Sequence, residues 1–288
     1  MPSREPQSTS REKATDAHAS QVIAGTSAAW KLPLAVRAGI TFLGALLVFL
    51  ALQLTVKPLT GASADLTEGV LSNLVMLGAS LLCGLRAVAR REERLGWSLI
   101  AVALLFSTIG DVYYAVAFFG IEEVPFPSPA DAAYLAFYPL AYVGLVSVLR
   151  ARLPRLDPML KADGLVGALA FAALAGAIVF KAVVTSTEGS PATVAVNLAY
   201  PIGDLVLLSL LVGTFAGTGR GSVRAWAWLA AGLAVTALAD AVYLYAAARW
   251  GYVNGAVLDA LWPAGSLVIA AAAWRAPIRV PELPREGW

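Results

Sequence analysis

Apolar residues run through the chain in long blocks, broken by short polar stretches. About 20 mainly apolar residues are needed to cross a bilayer as an α-helix. Eight such blocks can be drawn, at 35–56, 67–87, 96–119, 131–150, 162–184, 193–214, 225–249 and 255–274. Trp97, Trp226, Trp228, Trp250 and Trp274 fall at block ends, where amphipathic rings favour the membrane interface. The pattern predicts an all-α polytopic membrane bundle of eight transmembrane helices within residues 34–275. A polar stretch, 1–33, precedes it and a short one, 276–288, follows. The first stretch has no apolar core of the kind a cleavable signal peptide carries, and it reads as a disordered cytoplasmic tail.

Charge sets the orientation. Of the 21 Lys and Arg residues, all but Lys57, Lys181 and Arg249 fall on one side of this scheme. Such a bias places that side in the cytoplasm. Both termini are then cytoplasmic and the chain is a multi-pass protein of the cell membrane, as an even number of spans requires.

The blocks are not polar at random. The third reads Ser107-x3-Asp111-x2-Tyr114 and the seventh Thr236-x3-Asp240-x2-Tyr243. Residues at i, i+4 and i+7 share one helix face. The fourth, sixth and eighth blocks carry "FYPLA" (137–141), "AYPIG" (199–203) and "LWPAG" (261–265). Around these strings lie Asp131, Tyr134 and Tyr138; Asn197, Tyr200 and Asp204; Asp259, Trp262 and Ser266, each at i, i+3, i+7 spacing. A duplicated helical hairpin explains both series. Proline within a span kinks the helix, so three kinks at matching places are expected to open a central cavity or to shape packing.

An Asp near the middle of a spanning helix costs about 2.5–3.5 kcal/mol on insertion scales and usually faces the bundle interior. At about 1.5 Å per residue, Asp111 and Asp240 are expected in the outer half of the membrane and Asp204 near its midplane. Three readings stay open. Each Asp fixes helix register by accepting hydrogen bonds from neighbours. Or the acids and rings line a pocket for a cation or a small amine-bearing or hydroxylated solute, with cation–π walls. Or they relay protons or translocate ions. The candidate ligand-binding set is Asp111, Tyr114, Asp131, Tyr134, Tyr138, Asn197, Tyr200, Asp204, Asp240, Tyr243, Asp259 and Trp262.

Composition narrows the classes. The chain has 288 residues, 59% hydrophobic and 14% charged, with mean hydropathy +0.72. Soluble domains carry about 25% charged residues. A net charge of +2 suggests no nucleic-acid partner. One cysteine, Cys83, and one histidine, His18, leave no thiol or imidazole set for a metal or nucleophile. No phosphate-binding loop, GxSxG, HExxH or dinucleotide motif is placed to matter. No catalytic residue, metal ligand or cofactor is expected, and an intramembrane enzyme on lipid-like substrates is the weakest fit. Gly164, Ala168, Ala172 and Gly176 form a small-residue stripe on the fifth block, which suits close packing within the chain better than a dimer seam. "RREER" (90–94) reads as a cytoplasmic topology anchor, and Ser128 as an N-cap with Pro129 at the first helical position.

"GDVYY" (110–114), "PFPSPADAAYLAFYPLAYVGL" (125–145) and "NLAYPIGDLVLL" (197–208) resemble the N-terminal multi-span sensory region of actinobacterial GGDEF and EAL signalling proteins, the membrane-bound diguanylate cyclases and phosphodiesterases. The similarity covers roughly 96–275, and the PSxAD-x2-Y-x3-YPL string is its most specific part. The resemblance implies a membrane sensor that controls a cytoplasmic cyclic-di-GMP enzyme. It matches Asp111, Tyr114, Asp131, Tyr134, Tyr138, Pro139, Asn197, Tyr200, Pro201 and Asp204, and implies structural or sensory roles for them. No GGDEF string, EAL string or kinase histidine occurs here, so the expectation is a sensor-like protein or a truncated product, without enzyme activity of its own. Its expected partners are the lipid bilayer, a small-molecule or cationic ligand and a cytoplasmic signalling protein. A small proton-coupled transporter or permease is the alternative.

Overall fold

The computed structural model describes residues 32–118, 121, 124–152, 158–186, 190–218, 223–250 and 255–275. The expectations for the two terminal tails and for the side chains of Lys181, Arg249 and Trp250 lie outside them. The chain divides into a first stretch, Met1–Leu34, and a compact unit, Ala35–Trp288.

Eight α-helices and no strand occur among the described residues: α1 (Leu34–Val56), α2 (Ala62–Ala89), α3 (Arg94–Ala117), α4 (Pro129–Arg152), α5 (Pro158–Ser186), α6 (Pro191–Thr218), α7 (Val223–Trp250) and α8 (Leu261–Ala273). Short 3-10 turns, Arg91–Glu93 and Val257–Ala260, lead into α3 and α8. Among the described residues, six helices are long and apolar enough to cross a membrane: α1, α2, α3 with its leading turn, α4, α6 and α7. The apolar stretch Val257–Ala273 is shorter.

Helix starts follow local chemistry. Pro129, Pro158 and Pro191 each open a helix, where the missing N–H leaves no broken bond. Ser128 stands at the expected N-cap position before Pro129, but its hydroxyl donates instead of accepting a helix N–H, and the side-chain acceptor there is Asp131. Its Oδ2 accepts from the Ser128 N–H at 2.7 Å and from the Ser128 hydroxyl at 3.1 Å, the reciprocal half of a capping box. Pro139 and Pro201 lie inside α4 and α6. Pro263 does not match them. It occupies the first turn of α8, where proline breaks no helical bond.

Packing closes six helices into a ring: α2 on α3, α3 on α4, α4 on α6, α6 on α7, α7 on α8, and α8 back on α2. The middle of the ring is filled, not hollow. Ile100, Phe137, Ala141, Leu145, Leu207, Leu229, Leu233 and Ile269 leave a cavity of about 10 Å³ there. An apolar void of that size holds no water. The expected wide opening at the kinks therefore does not occur in this layer.

α5 packs on α6 and α7. A Cβ on Gly213 would lie 2.6 Å from the Gly164 carbonyl oxygen and 3.0 Å from the Ala168 Cβ. The small-residue stripe of α5 thus serves packing within the chain. α1 joins the bundle through Leu50 and Leu54, which cluster with Leu71 and Ala260. Large apolar side chains elsewhere on α1 and α2, among them Phe42, Val56, Leu66 and Leu81, point outward, as helices in lipid require.

Candidate functional site

Above the apolar plug, acids from α3, α4, α6 and α7 meet rings from α4, α6 and α8. The Tyr134 hydroxyl donates to Asp111 Oδ1 at 2.7 Å. The Trp262 Nε1–H donates to Asp240 Oδ1 at 2.7 Å. These two contacts are equivalent in the repeat, each joining the acid of one helix to the ring of the next. The series of aspartates and aromatics therefore folds as a duplicated hairpin contact.

The middle hairpin breaks the rule for a reason visible in its residues. Counting back from Tyr200 by the same interval reaches Ala177 and Ile178 on α5, which offer no carboxylate. Tyr200 turns instead to α4, and its hydroxyl donates to Asp131 Oδ1 at 2.7 Å. Asp131 thus accepts from its own cap on one oxygen and from α6 on the other.

Tyr138 is the hub. Its hydroxyl lies 2.9 Å from Asp240 Oδ2 and 3.3 Å from Asp204 Oδ1, tying α4 to α7 and α6. Its ring stands edge-on to Tyr200 at 6.3 Å, and Tyr243 stands edge-on to Trp262 at 6.1 Å. Two glycines make room. A Cβ on Gly110 would fall 2.5 Å from Tyr134 Cε1, and one on Gly203 would collide with the Tyr138 ring. Asp131 and Asp204 are buried, while Asp111, Asp240 and the rings are half-buried.

Three of the twelve expected residues sit apart from this cluster, which Tyr243 joins by its ring contact with Trp262. Tyr114 packs its ring on Phe118 at 5.3 Å. Asn197 is half-buried within α6. Asp259 accepts the Gly255 N–H at 2.8 Å and so caps the turn into α8, as Asp131 caps α4. Near it is a polar hollow of about 180 Å³ lined by Lys57, Thr60, Asp65, Glu68 and Gly255, among others. The Gln53 amide, buried on α1, holds one side of that region by donating to Leu59 O at 3.0 Å and to Glu68 Oε1 at 3.2 Å.

Sequence reasoning missed a second polar centre at the opposite end of the ring. Glu93 is buried and accepts from three helices. Arg86 Nη2 lies at 2.9 Å and Trp97 Nε1 at 2.8 Å from Oε2, and Arg152 Nε at 2.8 Å from Oε1. The Arg152 guanidinium also stands over the Trp226 ring at 5.2 Å, and Arg86 over Trp274 at 5.9 Å. Trp274 Nε1 donates to Leu82 O at 3.0 Å. The "RREER" turn is therefore partly internal, with Glu93 a buried acceptor. One signal was available, since Trp97 follows Glu93 by one helical turn.

No group of three or more His, Cys, Asp or Glu side chains suited to a metal occurs among the described residues. The acids of the upper layer are taken up by phenol, indole and backbone donors. That arrangement can hold a proton or present oxygen acceptors and aromatic faces to a cationic or hydroxylated solute. No protein-family model, curated protein or solved structure matches the chain.

Proposed function

We propose that the chain is a sensory or ligand-binding membrane module whose recognition site is the Asp/Tyr/Trp cluster in the outer half of the bilayer. The observation that carries this reading is the tying of four carboxylates, from α3, α4, α6 and α7, to rings that come from three different helices. Packing one helix pair needs one such contact. A shared hub at Tyr138 links three helices, so a solute that displaces one donor shifts several helices together. Such a change is what a signal passing to the cytoplasmic end requires. In this reading α5 and α8 also span, making eight transmembrane helices built from repeated hairpins with both termini cytoplasmic. The resemblance of residues 96–275 to the membrane region of GGDEF and EAL proteins supports a sensory role and a cytoplasmic signalling partner.

The test is thermal stability of the purified protein with choline, ethanolamine or glycerol as probes. A saturable rise in Tm with one of them, weakened in Asp111→Asn, is expected. No rise with any probe in the wild type leaves the cluster as a packing device.

One observation favours a second reading. Tyr138 bridges two acids on different helices, as a proton-coupled transporter would need. That reading predicts proton flux into proteoliposomes that is lost in Tyr138→Phe. Vesicles that stay proton-tight with the wild type contradict it.

A further inference from the structure

Tyr138 stands between two carboxylates, and the hydrogens available there do not suffice for both to be ionised. A phenol has one hydrogen to give and lone pairs to accept with. Given to the nearer oxygen, Asp240 Oδ2 at 2.9 Å, that hydrogen leaves only lone pairs facing Asp204 Oδ1 at 3.3 Å.

Asp240 faces a donor at each oxygen: Tyr138 at Oδ2 and the Trp262 Nε1–H at Oδ1, 2.7 Å away. An ionised carboxylate suits two incoming donors, since a neutral acid must also place a hydrogen of its own. Asp204 has the opposite surroundings. It is 7% exposed, and its side-chain partners among the described residues are the shared Tyr138 hydroxyl and the neighbouring Asp240 carboxyl, which lies within hydrogen-bond reach. Ionised, it would set a second full negative charge against Asp240, a juxtaposition two neighbouring carboxylates avoid by keeping a proton. No Lys or Arg forms an ion pair with either acid among the described residues.

We infer that Asp204 is a proton-binding site: it carries one proton and donates it to the ionised Asp240, either directly or along the chain Asp204 O–H, Tyr138 O–H, Asp240 carboxylate. The chain is also a transfer path. When the Asp204 proton moves to the Tyr138 oxygen, the original Tyr138 proton moves to Asp240. One O–H bond breaks and one forms at tyrosine, which is unchanged, and the negative charge passes from α7 to α6. Tyr200 and Tyr243 flank this path by their rings, and Asp111 and Asp131 keep their own phenol donors. The assignment uses the same cluster as the ligand reading but needs no solute, so either can fail alone.

The experiment compares two amide substitutions. In Asp204→Asn the amide N–H replaces the acid O–H as donor to Tyr138 or Asp240, and Tm is expected within about 2 °C of the wild type. In Asp240→Asn one of two incoming donors meets an amide NH2, and Tm is expected to fall by roughly 5 °C or more. Adding Trp262→Phe to Asp240→Asn removes one of the conflicting donors and should recover a clear part of that loss. Infrared spectra of the purified protein should show a protonated-carboxyl C=O band that weakens in Asp204→Asn. An Asp204→Asn protein that is as unstable as Asp240→Asn or fails to fold overturns the assignment. So does a C=O band that Asp204→Asn leaves unchanged.

Discussion

Glu93 receives donors from Arg86 of α2, Trp97 of α3 and Arg152 of α4, so one side chain holds three helices at their common end. Removing one partner of a buried ion pair costs about 3–5 kcal/mol, because the remaining charges stay buried. Glu93→Ala should lower Tm in detergent far more than Glu92→Ala, whose residue is exposed. Equal effects would mean that Glu93 is solvated. At this scale the legible residues were those whose chemistry contradicted their surroundings. An Asp in an apolar block is conspicuous in a chain only 14% charged, and Asp111, Asp131, Asp204 and Asp240 all proved to be held by rings. Glu93 was hidden among Arg90, Arg91, Glu92 and Arg94, where an acid resembles ordinary surface charge. The partner of each Asp was not legible either. A periodicity shows which residues share a face, but not which face of which neighbour it meets.

The hairpin is the element in which the repeat acts. Acid and ring pair across α3 and α4 through Asp111 and Tyr134, and across α7 and α8 through Asp240 and Trp262. The kinks were read less well. Pro139 and Pro201 lie within helices while Pro263 opens one, because a shared string cannot say where the helix around it begins. Glycine contacts offer an element-scale test. A Cβ on Gly203 would collide with the Tyr138 ring, and overpacking of this kind costs about 1–3 kcal/mol. Gly203→Ala should therefore destabilise the protein in thermal melts. Gly84→Ala, at a site with open space, should be neutral or slightly stabilising, since alanine is the better helix former. Equal behaviour of the two variants would remove Tyr138 from its place against α6.

Over the whole molecule the ring has three layers: acids and rings, then an apolar plug, then the Glu93, arginine and tryptophan layer. The plug lies between the two polar layers. The membrane character was legible because apolar length decides it, whereas six of the eight expected spans are long and apolar enough among the described residues. The order of helices around the ring was not legible, since it rests on contacts between residues far apart in sequence. Orientation has its own test. In a Cys83→Ser background, Thr60→Cys should react with a membrane-impermeant thiol reagent on intact cells and Arg91→Cys should not, following the basic-residue bias. The reverse pattern would invert the topology.

The central claim is that acids and rings from different helices meet at Tyr138, and a double-mutant cycle measures it directly. Tyr138 and Asp240 are 102 positions apart in the chain and 2.9 Å apart in the fold. Unfolding free energies of Tyr138→Phe, Asp240→Ala and the double variant should give a coupling of about 0.5–3 kcal/mol. Effects that simply add, to within about 0.3–0.5 kcal/mol, would place the two residues out of contact.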